Sequence, residues 1–109
     1  MNIGPLYTSQ VPGFPLVVEV LDSRTNKPRN LITYTSVEIL MNGPDGENID
    51  TSSGIPAIID VTGGLVRYEW PVTSLFPTVG DYTLQVALTG PNGIYDLTIP
   101  QTIEVFGSI

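Results

Sequence analysis

Apolar and polar residues alternate with a period of two along most of the chain. In the segment "FPLVVEVLD" (14–22) every second residue is apolar, and "DYTLQVALT" (81–89) continues the pattern over a similar length. Such alternation is typical of a β-strand with one buried face. Five further segments follow the same pattern, at 35–41, 56–61, 65–70, 94–99 and 102–106. The pattern therefore predicts about seven short strands.

The spacing between these segments indicates how the strands are arranged. Turn residues separate them at close to the 8–12-residue interval expected of a β-sandwich. No window of a dozen residues has a helical period, and ten Pro and eleven Gly interrupt the chain too often for one. The sequence predicts an all-β fold, an antiparallel β-sandwich of about seven strands.

Two turns resemble each other. "NGPDG" (42–46) and "TGPNG" (89–93) both place Pro before Asp or Asn and then Gly, which favours a tight turn with Pro at its second position. Each is predicted to close a hairpin. The likeness suggests that both hairpins lie at the same end of the sandwich.

Residues 1–13 precede the first firm strand and form a separate region, followed by a single sandwich over 14–109. This region contains Ile3, Leu6 and Tyr7, more apolar side chains than a solvated tail needs, together with two prolines. One interpretation is an edge strand on the same domain; the other is an arm that docks on a neighbouring subunit. Ile3, Leu6 and Tyr7 are the candidate partner-binding residues.

Aromatic residues are placed by the same periodicity. Trp70 shares a face with Val66 and Tyr68, and Tyr82 shares a face with Leu84. We therefore expect Trp70 and Tyr82 in the core, rather than a Trp70 platform for sugar rings.

The amino-acid composition excludes several kinds of catalytic and metal-binding chemistry. The chain has no Cys and no His, so thiolate catalysis, disulfides and the commonest metal ligand and general base are missing. The one oxygen-rich group, Asp45, Glu47 and Asp50, lacks the spacing of a calcium loop and is interpreted as a solvated acidic hairpin. We expect no enzyme activity, no cofactor, no metal and no small-molecule substrate.

Charge and hydropathy argue against two classes of binding partner. Eleven acidic and four basic residues give a net charge of -7, which repels phosphate backbones and anionic lipid headgroups. Arg24, Lys27 and Arg29 crowd into "DSRTNKPRN", which is interpreted as a solvated turn. There is neither a signal-peptide pattern nor an apolar run of about 20 residues. We expect no nucleic acid or membrane partner, and synthesis in the cytoplasm of the producing cell.

The stretch "GGLVRYEWPVTSLFPTVGDYTLQV" (63–86) carries a family resemblance. Its Gly64, Val66, Tyr68 and Trp70, followed by Gly80 and Tyr82, resemble the immunoglobulin-like domain at the N-terminus of phage baseplate upper proteins and of small phage virion proteins. The segments "LVVEVLD" and "SVEILMNGPDG" agree in order, so the likeness covers roughly residues 14–106. Bacterial surface immunoglobulin-like repeats share the tyrosine that follows Gly80 and Asp81.

The resemblance implies an immunoglobulin-like sandwich and a structural role in a virion. Baseplate upper proteins continue into a further region, whereas this chain stops at Ile109, so the expectation is a free-standing virion protein. It would decorate a capsid or attach to a neck, tail or baseplate, with other virion proteins as partners and a homo-oligomer also allowed. The alternative is a carbohydrate-binding or adhesion module for host glycans, for which Tyr7, Tyr34, Tyr95 and Phe106 are the candidate aromatics.

Overall fold

The computed structural model describes residues 6–22 and 24–107, which form β-strands joined by turns, by longer loops and, between the seventh and eighth strands, by a short 3-10 helix (Pro91–Gly93). The all-β prediction is confirmed, and each of the seven predicted segments contains a strand. Two short strands, the first and the fourth, are additional. Within the described residues no helix has the length and apolar character needed to cross a membrane. The strands are β1 (Leu6–Tyr7), β2 (Leu16–Glu19), β3 (Ser36–Asn42), β4 (Asn48–Ile49), β5 (Ile55–Asp60), β6 (Leu65–Glu69), β7 (Gly80–Thr89), β8 (Tyr95–Leu97) and β9 (Gln101–Phe106).

The strands form two sheets with a shared core. One sheet has the order β2-β6-β5; the other has the order β1-β9-β7-β3-β4, with β8 also paired to β7. In chain order β2, β3, β5, β6, β7 and β9 take the places of immunoglobulin strands B, C, D, E, F and G. The pairing of β1 with β9 is parallel, so the larger sheet is mixed rather than purely antiparallel.

Alternate residues of the long strands supply the core, as the period-two pattern predicts. In β7 every second residue from Tyr82 to Leu88 is at most 2% exposed. β2 contributes in the same way, although Phe14, two residues before its start, is 43% exposed. The main core residues of both sheets are Leu16, Val18, Val20, Ile39, Met41, Val66, Tyr68, Tyr82, Leu84, Val86, Leu88, Ile103 and Val105.

Trp70 lies at the margin of this core. It follows directly after β6 and is half-buried, with edge-on contacts to Tyr68 and Phe76 at ring-centroid distances of 5.4 and 5.5 Å. Its indole Nε1 donates a hydrogen bond of 2.9 Å to the carbonyl oxygen of Phe14. Trp70 therefore packs against the core, as predicted, but it is not completely buried. Tyr82, the other predicted core aromatic, is 0% exposed.

The two similar turns do close hairpins, β3–β4 and β7–β8, as predicted. The expectation that they lie at the same end of the sandwich is wrong. β3 and β7 are antiparallel neighbours, with Ser36 opposite Thr89 and Asn42 opposite Thr83. Because each turn follows the last residue of its strand, antiparallel pairing places the two turns at opposite ends.

Candidate binding cleft

An open cleft of about 450 Å³ separates the margins of the two sheets. One wall is formed by β2 and the turn after it, and the other wall by the chain from β8 to the start of β9. We refer to this feature as the edge cleft. Its lining residues are Val18, Glu19, Val20, Leu21, Asp22, Asn26 and Arg29 on the first wall, and Leu97, Thr98, Ile99 and Gln101 on the second.

The first wall is an open strand edge. The only strand that pairs with β2 in the described part of the chain is β6, in an antiparallel register. The amide of Val20 donates to the carbonyl oxygen of Gly64 at 2.7 Å, which places Val20 among the residues that face β6. Because residues alternate in an antiparallel pair, Val17, Glu19 and Leu21 direct their backbone groups away from β6, toward the open side.

The second wall is a bulged strand. Leu97 lies opposite Ala87 and Gln101 lies opposite Leu84, so four steps on this strand match three steps on β7. The extra residue is a β-bulge between β8 and β9. Thr98 anchors it: its amide donates to the carbonyl oxygen of Val86 at 3.0 Å, and its Oγ1 accepts from the Val86 amide at 2.8 Å.

Both walls carry exposed apolar side chains. Leu21 is 42% exposed on the first wall, while Leu97 and Ile99 are 47% and 75% exposed on the second. Single exposed apolar residues are common on protein surfaces, but three beside one cleft form a patch that water solvates poorly. The edge cleft therefore combines apolar side chains with unpaired backbone.

A polar group joins the two walls at one end. Arg29 follows the turn after β2, and its Nη2 lies 3.3 Å from Oδ2 of Asp96 on β8. The hydroxyl of Tyr34 donates a hydrogen bond to the same oxygen. The Arg29 guanidinium also lies over the ring of Tyr34, 5.5 Å from its centroid, which adds a cation–π contact. Arg29 is thus held by this group and does not point freely into solvent.

Burial affects the titration of Tyr34. Burial of Tyr34 raises the pKa of its phenol, and the hydrogen bond to Asp96 raises it further, while the nearby charge of Arg29 opposes both effects. The phenol is therefore neutral at ordinary pH, and it is available as the hydrogen-bond donor that Asp96 needs.

Leu6 and Tyr7, two of the candidate partner-binding residues of the N-terminal region, do not line the edge cleft. Leu6 is 2% exposed and belongs to the core of its own sandwich. Tyr7 is half-buried on the edge strand β1, with its ring centroid 6.4 Å from that of Phe106. Ile3 lies outside the described residues. The edge strand holds Leu6 within the fold, so a partner cannot contact that side chain without displacing it.

The acidic residues of the β3–β4 hairpin are used in local turns. Glu47 accepts a hydrogen bond of 3.0 Å from the amide of Asp45, and Asp50 accepts one of 2.9 Å from the amide of Ser52. Hydrogen bonds from Ser52, first from its side chain and then from its amide, lower the pKa of Asp50. Within the ranges that the structure describes, no group of three potential metal-ligating residues comes together.

Two of the four candidate sugar-binding aromatics, Tyr7 and Phe106, are neighbours with ring centroids 6.4 Å apart, and the other two lie apart from them. Tyr34 is buried and engaged with Asp96, whereas Tyr95 and Phe106 are 59% and 47% exposed. Tyr95 and Phe106 lie at opposite ends of the β8–β9 strand, about 35 Å apart at roughly 3.3 Å per residue. One sugar ring cannot contact both.

The edge cleft was not found from the sequence. "IYDLTI" alternates as a strand does, and alternation alone favours burial of its apolar phase. The structure has the opposite orientation, with Asp96 facing Arg29 and Tyr34 between the sheets and Leu97 exposed. The available signal was the acidic residue in the middle of a strand segment, together with the three cations of one turn, Arg24, Lys27 and Arg29.

No family model, curated protein or solved structure matches this chain. The edge cleft and the charge of the chain are therefore the basis for inferring its function.

Proposed function

We propose that this protein is a non-enzymatic binding module that attaches to a larger assembly by protein–protein contact through the edge cleft. The observation that carries the proposal is the coincidence, at one place, of an open strand edge and the exposed side chains of Leu21, Leu97 and Ile99. An unpaired strand edge offers backbone donors and acceptors, and apolar side chains beside it favour burial against another protein.

The charge of the chain supports a protein partner. A net charge of -7 repels nucleic acid and anionic lipid, while it attracts neutral or basic protein surfaces. The rigid element that presents the cleft is the sandwich itself, because Val18 and Val20 on the first wall are buried in its core. Little conformational entropy is then lost on binding.

The assembly that we propose is a bacteriophage virion. Support comes from the resemblance to immunoglobulin-like phage virion domains, carried by Gly64, Tyr68 and Tyr82, and from a strand order that suits that family. The protein would be made in the host cytoplasm and would join the capsid, neck, tail or baseplate. Virion proteins of this kind act by presenting a rigid surface, which agrees with the cleft.

Glycan binding is the second candidate. The exposed ring of Tyr95 favours it, since aromatic faces can stack on sugar rings. The distance between Tyr95 and Phe106 excludes a platform made of those two rings, and the ring that neighbours Phe106, that of Tyr7, is half-buried. A glycan array with wild-type protein and Tyr95→Ala separates the two functions: binding that depends on Tyr95 supports the adhesion module.

The virion proposal is tested on purified phage particles from the cells that make the protein. Quantitative mass spectrometry should find the chain at a fixed copy number per particle, and density for a small sandwich should appear by cryo-electron microscopy. Particles assembled with Leu97→Asp should lose the protein, because a charge on the second wall opposes burial. The purified variant should melt close to the wild type, since Leu97 is already 47% exposed.

Val72→Asp is the matched control, since Val72 is 97% exposed and does not line the edge cleft. It should load onto particles like the wild type. Absence of the wild-type chain from particles contradicts the virion proposal, and equal loading of Leu97→Asp contradicts the role of the cleft.

A further inference from the structure

We propose that the edge cleft receives an extended segment of a partner protein as an additional strand on β2, and that this segment alternates apolar with basic residues. The inference deepens the proposed function, on which it rests, by naming the kind of partner segment that the cleft binds.

The backbone of β2 specifies a strand as the occupant. Val17 and Glu19 on β2, and Leu21 just after it, present amide and carbonyl groups toward the cleft at alternate positions, as the register with β6 and the bridge between Leu21 and Pro28 require. A helix has no free backbone groups along its length with which to satisfy them. An extended chain matches this spacing and adds one strand to the three-stranded sheet β2-β6-β5.

The buried face of the first wall specifies the apolar residues of the segment. Successive side chains of a strand point to opposite faces. Those of the added strand that point between the sheets lie beside Val18 and Val20, whose side chains are buried in the core. Every second residue of the segment is therefore apolar, while the residues between them face solvent.

Charge specifies the solvent-facing residues. Glu19 is exposed on the open edge and forms no ion pair with any residue of the described ranges. Asp22 lies on the same wall, but the charges of Arg24 and Arg29 act on it, and Arg29 is also paired with Asp96 at 3.3 Å. Glu19 is therefore the carboxylate of the open edge that lacks an ion-pair partner within the described ranges. A charged edge residue commonly protects a strand from unwanted pairing, and here Glu19 selects basic segments.

The same charge argues against a second copy of this chain as the occupant. Each copy carries a net charge of -7, so two copies repel each other as they approach. A basic partner segment is attracted instead, and the attraction weakens as salt is added.

The test uses the full chain and three immobilised heptapeptide libraries. The first alternates Val or Ile with Lys or Thr, the second replaces Lys by Glu, and the third has the composition of the first with its apolar residues contiguous. Binding should be strongest to the first library and should weaken with salt. In ¹⁵N nuclear magnetic resonance spectra with the best peptide, the amides of Val17, Glu19 and Leu21 should shift and become protected from hydrogen exchange.

Glu19→Pro removes one outward amide from β2 without removing a bond to β6, because edge positions tolerate proline. It should lower the affinity for the best peptide by roughly threefold to tenfold, which corresponds to the loss of one hydrogen bond. Tyr95→Pro is the matched control: it removes an outward amide from β8, outside the cleft lining, and should leave affinity unchanged. Glu19→Lys keeps the backbone intact and should abolish the preference for the first library over the second.

The inference is overturned by equal binding of the basic and acidic alternating libraries, by protection that maps away from β2, or by binding that appears only after residues 1–5 are deleted. The last outcome would make the N-terminus of the chain the occupant. Dimerisation with the same protected amides would make it a second copy. Phage particles separate the two proposals: if Glu19→Pro loads normally, strand addition fails while the virion role stands. If the wild type is absent from particles, the virion role fails whatever the peptides do.

Discussion

The phenol oxygen of Tyr82 donates a hydrogen bond of 2.7 Å to the carbonyl oxygen of Thr78, four residues earlier in the chain. The same oxygen accepts a hydrogen bond of 3.2 Å from the amide of Thr78. This geometry is the tyrosine corner of immunoglobulin-type sandwiches, at the turn that leads into strand F. It fixes the loop before β7 to the ring that fills the core.

Tyr82→Phe is expected to destabilise the protein by about 1–3 kcal/mol, because the ring stays buried while the backbone of Thr78 loses its partner. Urea denaturation measures the change in the free energy of unfolding. Tyr95→Phe is the control, since Tyr95 is 59% exposed, and it should change stability by less than about 0.5 kcal/mol. Equal effects of the two substitutions would contradict the role assigned to the corner.

Gly64→Ala is expected to cost more than about 2 kcal/mol, because strain and a close contact coincide there. Gly64 has φ 66°, and a Cβ there would lie 2.7 Å from the carbonyl oxygen of Val20 and 2.8 Å from that of Arg29. Gly46→Ala is the matched control: Gly46 has φ 81°, and no neighbouring atom lies within 4 Å of the position that a Cβ would take. It should incur only the left-handed backbone cost of about 1–2 kcal/mol. Thermal and urea unfolding of both variants give the comparison, and a Gly46→Ala loss as large as that of Gly64→Ala would contradict the close approach.

Trp70→Ala is expected to cost about 2–3 kcal/mol, less than the roughly 3–5 kcal/mol usual for a fully buried aromatic residue. The ring is half-buried but contacts Tyr68 and Phe76, and its Nε1 binds the carbonyl oxygen of Phe14. Trp70→Phe retains part of the ring contact and should lose about 1 kcal/mol. A loss below about 1 kcal/mol for Trp70→Ala would show that the ring contributes little and would strengthen a surface-binding role.

Stability is expected to be constant from neutral pH to about pH 9 and to fall above about pH 10. Burial raises the pKa of both Tyr34 and Tyr68 above the ordinary value of 10.0. A group whose pKa is higher in the folded state contributes stability below its unfolded pKa and loses that contribution as the pH rises through its folded pKa. Melting curves from neutral pH to about pH 11.5 cover this range. The double variant Tyr34→Phe and Tyr68→Phe should show a smaller alkaline loss than the wild type.

Much of the fold follows from the alternation of apolar residues. β7 was predictable because apolar residues recur along its ten residues, and its neighbour β3 follows the same rule. For β1 the sequence left an edge strand as one of two interpretations of residues 1–13, since two residues carry no period, and its parallel pairing with β9 depends on contacts distant in sequence. The positions of the two similar turns also depend on strand pairing. Only the antiparallel register of β3 with β7 shows that the turns lie at opposite ends of the sandwich.

The edge cleft could not be predicted from the alternation of apolar residues. Asp96 faces inward because it lies opposite Leu88 in the register with β7, and its partners Arg29 and Tyr34 come from a distant part of the chain. Local sequence fixes neither the register nor the gap between the two strand edges. Exposed Leu97 and Ile99 are consequences of that register and of the bulge beside Thr98.

The parallel pair β1–β9 determines how the sandwich bears mechanical load. Leu6 lies opposite Val105 and Tyr7 opposite Phe106, and the amide of Thr8 donates to the carbonyl oxygen of Phe106 at 2.9 Å. Tension that pulls Leu6 in the N-terminal direction and Phe106 in the C-terminal direction acts along these two strands. It therefore loads all of their hydrogen bonds in shear at the same time, rather than opening them one after another. The resistance of the module to being pulled apart along its chain therefore depends on a strand of only two residues, which clamps the start of the described fold to its end.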